Sequence, residues 1–153
     1  MQPNMDAISR SLEAAGIAFA VEEVTPLGEY LRVDAADAKR TMRTLYESGG
    51  FDYFVDLFGV DTGQAIDMVV MLRDFDADAD LVVKVGFGYD HGVWESIWED
   101  YPAALMPERE ACEMFGLKLA GHPNPKRLLT TDETIAPLRK GRALRTPEEV
   151  RDK

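Results

Sequence analysis

The 153-residue chain has one cysteine, two histidines, no long apolar run and little positive charge over most of its length. Each shortage excludes something. A single thiol, Cys112, leaves no internal disulfide and no cysteine-ligated cluster built by this chain alone. It fits a reducing compartment. His91, His122 and Cys112 show no ligand spacing such as C-x-x-C or H-x-x-x-H, so the sequence offers no metal site of its own. Apolar runs stop at the size of Met68-Val69-Val70-Met71-Leu72, whereas a membrane helix takes about 20 residues. Met1 to Asp6 lacks the cationic and apolar regions of a signal peptide, so any membrane link is expected through a partner.

What is present fits one soluble domain, with 46% hydrophobic and 29% charged residues. The net charge of −11 opposes binding to nucleic acid or anionic lipid. That charge is unevenly spread. Residues 1–116 carry 8 Lys and Arg against 23 Asp and Glu, whereas residues 117–153 carry 9 against 5. An acidic body with a basic tail implies that the tail meets something acidic, on its own body or on a partner.

Ile8, Leu12 and Ala15 predict a first helix ended by Gly16. Ile17 to Val24 reads as a strand, with Pro26-Leu27-Gly28 as a turn and Tyr30 to Val33 as its hairpin mate. Asp34 is placed to cap a second helix carrying Met42, Leu45 and Tyr46, stopped by Gly49-Gly50. Three strands follow: Phe51 to Val60, Ala65 to Leu72, and Leu81 to Val85 after the acidic loop Asp74 to Asp80. In the first, Phe51, Tyr53 and Val55 fall on one face with Asp52 and Asp56 opposite. Val93 to Leu105 places Trp94 and Trp98 at i and i+4 on one helical face. Pro107 opens a helix over Glu108 to Phe115, which Gly116 ends. The fold class expected is α+β, a mixed or mainly antiparallel sheet with helices packed on one face. The expected division is a globular domain over residues 1–120 and an extended basic arm over 121–153.

Candidate chemistry is thin. Gly86-Phe87-Gly88-Tyr89-Asp90-His91-Gly92 is one residue too long for a dinucleotide-binding turn and reads as a plain loop. Glu108 and Glu110 point to nearly opposite sides of a helix and cannot share a proton or metal. Glu110 and Glu113 lie one above the other, as do Arg109 and Glu113, which reads as a structural ion pair or a helix cap. Arg109 stands out, because its planar fork can clamp a carboxylate at an interface. Cys112 between Glu110 and Glu113 reads as a packed thiol whose pKa those acids raise. A rival reading is a small stand-alone enzyme using Glu110, Cys112 or His122; a third is a reversible regulatory binding module.

Several segments together resemble a known family. They are Phe51-Asp52-Tyr53-Phe54-Val55-Asp56-Leu57 with Val60-Asp61, Glu108-Arg109-Glu110, Phe115-Gly116-Leu117, Gly121-His122-Pro123, Lys126-Arg127-Leu128-Leu129 and Pro137-Leu138-Arg139-Lys140. In order and spacing this resembles the 30-kDa subunit family of respiratory complex I (the C subunit of NADH-quinone oxidoreductase), shared with energy-converting [NiFe] hydrogenases and formate hydrogenlyase-type complexes. Cys112, Glu113 and Gly141 depart from the family pattern, and the tail is short, which tilts the resemblance toward a simplified or hydrogenase-type relative.

The resemblance implies a non-catalytic scaffold subunit of the hydrophilic arm, at the cytoplasmic face of the cell membrane, with no cofactor of its own. Iron–sulfur clusters, and in hydrogenases a [NiFe] centre, would belong to partner subunits. It implies docking onto the large catalytic subunit (49-kDa or [NiFe]-hydrogenase large-subunit type) and the iron–sulfur subunits. The expected docking residues are Glu108, Arg109, Glu110, Gly116, Gly121, His122, Pro123, Lys126, Arg127, Pro137, Leu138, Arg139 and Lys140.

Overall fold

A computed structural model describes residues 3–24, 28–131 and 134–141. The expected turn at Pro26-Leu27 and the arm beyond Gly141 lie outside these residues. Helix α1 (Met5–Ala14) buries Ile8 and Leu12, and the Asn4 side chain caps its start by accepting from Ala7 N–H at 3.1 Å. Strands β1 (Phe19–Val24) and β2 (Gly28–Val33) form the expected antiparallel hairpin. Asp34 caps a short 3-10 turn over Ala35–Asp37 without a side-chain hydrogen bond, and α2 begins only at Ala38, running to Ser48. Met42 and Leu45 of α2 are buried, but Tyr46 is exposed and meets the Tyr101 ring edge-on at 5.4 Å.

Strands β3 (Tyr53–Asp61), β4 (Ile66–Asp74) and β5 (Ala79–Phe87) form an antiparallel meander, as short turns between them require. β5 then pairs with β2 in parallel, giving a mixed five-stranded sheet in the order β1-β2-β5-β4-β3. On its inner face Leu81, Val83, Val85, Met68, Val70 and Leu72 join Leu12, Met42 and Leu45 of the helices in one core. The expected α+β class with helices against one face describes this arrangement.

Two expectations about local structure are corrected. Phe51 is buried, but Tyr53 and Val55 are 51% and 45% exposed, not on a shared core face. A β-bulge between Phe54 and Asp56 inserts one residue, so the inward alternation resumes at Leu57 and Asp61. Nor is Val93 to Leu105 a helix. It divides into strand β6 (Val93–Glu95), a turn, and a 3-10 segment Pro102–Ala104 that leads into α3 (Leu105–Phe115). Trp94 is fully buried on β6, whereas Trp98 is half-buried in the turn. The two indoles bond to different partners, Trp94 to Glu108 and Trp98 to the Gly121 carbonyl. Long-range hydrogen bonds override the helical spacing.

Helix α3 starts three residues before Glu108, with Pro107 in its first turn, where a missing N–H costs nothing. Gly116 ends it at φ 70°, the left-handed conformation that glycine adopts freely. A short strand β7 (Lys118–Ala120) pairs in parallel with β6. Beyond it, the described residues 121–131 and 134–141 form neither helix nor strand.

Candidate functional site

The predicted docking residues gather around α3 and the extended segment after it, and their first partners are within the chain. Arg109 and Glu113 sit one helical turn apart, yet no salt bridge joins them. Arg109 instead donates from Nε to the Lys126 carbonyl at 2.8 Å and from Nη2 to the Arg127 carbonyl at 2.9 Å. The Glu113 carboxylate accepts the amide N–H groups of Leu128, Leu129 and Thr130. The expected ion pair is thus replaced by a two-residue clasp that holds residues 126–130, the strap, against the helix. Each charge finds backbone groups that have no ladder to satisfy them.

This arrangement sets the Glu113 titration. Burial alone would raise its carboxyl, but the Thr130 hydroxyl and the amides of Leu128, Thr130 and Leu129 outweigh it and hold the pKa at about 2.

The extended segment on either side of the strap is fastened at four further places. His122 is buried with both ring nitrogens engaged: Nδ1 accepts from Asn124 N–H at 2.9 Å, so Nε2 carries the proton donated to the Leu105 carbonyl at 2.8 Å. Gly121, also at positive φ, offers its carbonyl to Trp98 Nε1 at 3.0 Å. At the far end Leu138 N–H bonds to the Met114 carbonyl, and Arg139 Nε and Nη2 reach the Phe115 and Gly116 carbonyls at 2.6 and 3.3 Å. These carbonyls close α3, so a guanidinium there satisfies orphan acceptors and meets the negative end of the helix dipole. A Cβ on Gly116 would come within 2.9 Å of Ala136 Cβ and 3.1 Å of Arg139 Nη2, which is a second reason for glycine there.

The last clamp joins the chain's middle to its end. Asp61 Oδ2 accepts Lys140 N–H at 2.7 Å, and Oδ1 accepts the Tyr89 hydroxyl at 2.6 Å and Gly63 N–H at 2.8 Å. The Tyr89 hydroxyl is the largest influence holding the Asp61 carboxyl below its usual range. Arg139 in turn lies over the Tyr89 ring at 5.4 Å.

Glu108 belongs to none of this. It is fully buried, its Oε1 accepting Trp94 Nε1 at 2.8 Å and Ile97 N–H at 2.7 Å, while Oε2 accepts the Ser96 hydroxyl. It is an internal organiser of the turn after β6 and not an exposed docking group. Cys112 packs beside it: burial first, and then Glu108, push the thiol up to about 12. The rise has these two causes and not Glu110 and Glu113, the acids nearest in sequence.

Glu110, Cys112 and His122 do not converge as an active site would need. Glu110 is exposed beside β3, Cys112 lines a cleft of about 510 Å³ between α3 and the strap, and His122 lines neither opening. Among the described residues no group of three or more His, Cys, Asp or Glu is placed to hold a metal ion, and no helix is long and apolar enough to cross a membrane.

The outward side of the strap and of the segment around it combines apolar and basic groups. Leu129, Ile135 and Leu138 are 63%, 64% and 56% exposed, with Pro123, Lys126, Arg127 and Lys140 exposed beside them and Pro137 half-buried. Sequence reasoning misses Asp61, Tyr89 and Trp98 as fasteners and gives Glu113 the wrong partner. Of the first three, only Asp61 gives a signal, inside the Val60-Asp61 pair.

Relatives share both the sequence pattern and the fold. The family described as "Respiratory-chain NADH dehydrogenase, 30 Kd subunit" matches residues 31–148. The C subunit of an NADH-quinone oxidoreductase from Moorella thermoacetica is 37% identical over 119 residues, covering 76% of this chain and 80% of its own. The C/D subunit of an NADH-quinone oxidoreductase from Bdellovibrio bacteriovorus is 34% identical over 116 residues, covering 73% of this chain but 20% of its own. Two solved structures have the same fold. A chain of an archaeal membrane-bound sulfane sulfur reductase superimposes with TM-score 0.72 at 22% identity, over 89% of this chain and 83% of that one. The trypsin-resistant fragment of Nqo5 superimposes with TM-score 0.67 at 18% identity, over 78% of this chain and 98% of the fragment. By its sequence and its fold, this chain belongs to the 30 Kd subunit family of the respiratory-chain NADH dehydrogenase.

Proposed function

We propose that the chain is a scaffold subunit of the hydrophilic arm of a membrane-associated, complex I-like oxidoreductase, and that it carries no electron itself. The single observation behind this reading is the clasp of Arg109 and Glu113 on residues 126–130. Two charged groups hold backbone in place. They anchor part of a ridge whose outward groups, Leu129, Ile135, Leu138, Lys126 and Lys140, have the apolar and cationic character of a docking surface.

Electrons then pass through partner subunits that hold iron–sulfur clusters. The ridge meets the large catalytic subunit, whose complementary surface is acidic and apolar. Relatives at 34–37% identity are named as parts of NADH-quinone oxidoreductases, which supports a quinone-reducing complex over a hydrogenase. Such an assembly places the chain at the cytoplasmic face of the membrane, held there by its partners.

Affinity purification of the chain from its native cells tests the reading. Co-purification of subunits that bear metal clusters, and its loss in Arg109→Ala and Arg139→Ala variants on native gels, is the expected result. A lone wild-type monomer would contradict the proposal, as would both variants entering the complex unimpaired.

A further inference from the structure

Among the described residues no strand pairs with the outer edge of β3, the last strand of the sheet on the far side from β1. β3 is a nine-residue edge strand whose side chains Val55, Phe58 and Val60 are exposed and apolar. The opposite edge, β1, carries Glu22 and Glu23, charges of the kind that blunt a sheet edge against pairing. β3 has one exposed charge, Asp56, and its bulge, since its other acid, Asp61, is buried.

Backbone groups are also available there. In an antiparallel ladder, alternate residues turn N–H and C=O away from the neighbouring strand. The N–H of Leu57 is taken up by the adjacent Asp56 carboxylate at 2.8 Å, which marks Leu57, and by alternation Gly59, as facing away from β4. Alongside runs a groove of about 300 Å³, with Asp56 to Gly59 on one wall and Pro107, Glu110 and Met114 of α3 on the other. A free strand edge beside a helix is the geometry in which an extended peptide adds a strand. Phe58 also borders a second cavity of about 350 Å³, where Val60, Val69, Met71 and Val82 contribute apolar lining.

Charge selects the occupant. Glu110 and Asp56 are exposed at the groove, and among the described residues Glu110 has no bonding partner and no Lys or Arg lines the opening. A second copy of this chain would bring its own Asp56 and Glu110 to a groove that is already acidic. We propose that β3 and α3 receive an extended segment of a neighbouring polypeptide, which becomes a sixth strand. Its apolar side chains cover Phe58 and Val60, a lysine or arginine meets Glu110 and Asp56, and a backbone carbonyl replaces Asp56 at the Leu57 N–H. This inference rests on the chain being one subunit of a larger complex.

Hydrogen exchange of the purified complex against the isolated full chain tests it, together with a photo-crosslinking residue placed at Val60. The Gly59 amide is expected to exchange about tenfold or more slowly in the complex, with crosslinks to a different polypeptide. Glu110→Lys, at a position with no internal bond, is expected to abolish that slowing while leaving the melting curve of the isolated chain unchanged. An assembled complex with unaltered Gly59 exchange overturns this inference alone, as do crosslinks between two copies of this chain or a Glu110→Lys complex indistinguishable from wild type. A wild-type chain that recovers no partner overturns the proposed scaffold role and this inference with it.

Discussion

Arg109 and Glu113, one turn apart on α3, grip the same five-residue stretch from its two kinds of backbone group: Arg109 takes the carbonyls of Lys126 and Arg127, and Glu113 takes the amides of Leu128 to Thr130. Hydrogen bonds to a charged group contribute about 1.5–3 kcal/mol each. Arg109→Ala removes two of them and is expected to free the strap while the core remains folded. Arg109→Lys should behave almost as poorly, since an ammonium cannot present a planar fork to two carbonyls. Amide exchange at Leu128 to Thr130 reads this directly. Wild-type protection in Arg109→Ala would show that Glu113 suffices.

The same clasp gives the strap an acid limit. The Glu113 pKa is near 2 when folded against an ordinary value of 4.5. A carboxyl with a depressed folded pKa stabilises the folded form above its unfolded pKa, and that stabilisation is lost as pH falls toward the folded value. Strap ordering is therefore expected to be flat from neutral pH down to about 4.5 and to weaken between there and about 2. In Glu113→Gln that acid-dependent part should vanish, leaving a strap that is looser at neutral pH. Exchange at the Thr130 amide across this range, in both proteins, provides the measurement; identical profiles would contradict it.

The elements legible in the sequence are those fixed by near neighbours. Gly116 ends α3 because only glycine takes a positive φ there cheaply, and the meander β3-β4-β5 follows from alternating apolar residues joined by short turns. What escapes is set at a distance. Trp94 and Trp98 have helical spacing, but the Glu108 carboxylate, 14 and 10 residues further on in the chain, collects Trp94, Ser96 and Ile97 and makes a strand and a turn instead. The bulge at Val55 leaves no mark in an apolar pattern that looks regular. Arg109 is legible as a clamp from its planar fork, yet what it clamps is backbone of its own chain, and no residue pattern announces a carbonyl.

Glu108 is the most consequential acid in the fold and the one least expected to be buried. Replacing it with alanine leaves Trp94 Nε1, the Ser96 hydroxyl and the Ile97 N–H buried without an acceptor. Each orphaned donor costs about 1–3 kcal/mol, so Glu108→Ala is expected to destabilise by at least about 3 kcal/mol. Glu108→Gln should be far milder, because its carbonyl oxygen keeps the Trp94 and Ile97 bonds and its amide can donate to Ser96. Thermal unfolding of the two variants separates a hydrogen-bond hub from a need for negative charge. Equal losses in both would mean that the charge itself matters.

Where α3 crosses the sheet, the Phe115 ring occupies the space of a missing side chain. A Cβ built on Gly59 would lie 2.2 Å from Phe115 Cδ2 and 2.5 Å from Cε2, so the ring rests directly on the strand. Gly59→Ala cannot be absorbed by a small shift of a buried ring that also sits at the end of the helix. Such overpacking costs about 1–3 kcal/mol. Phe115→Leu alone leaves a cavity, but in the double variant the smaller side chain makes room for the new methyl. The two changes should therefore be less damaging together than their sum, with a coupling of about 0.5–3 kcal/mol. Urea midpoints of the four proteins measure that coupling, and strictly additive losses would mean that α3 moves away from β3 as a rigid rod.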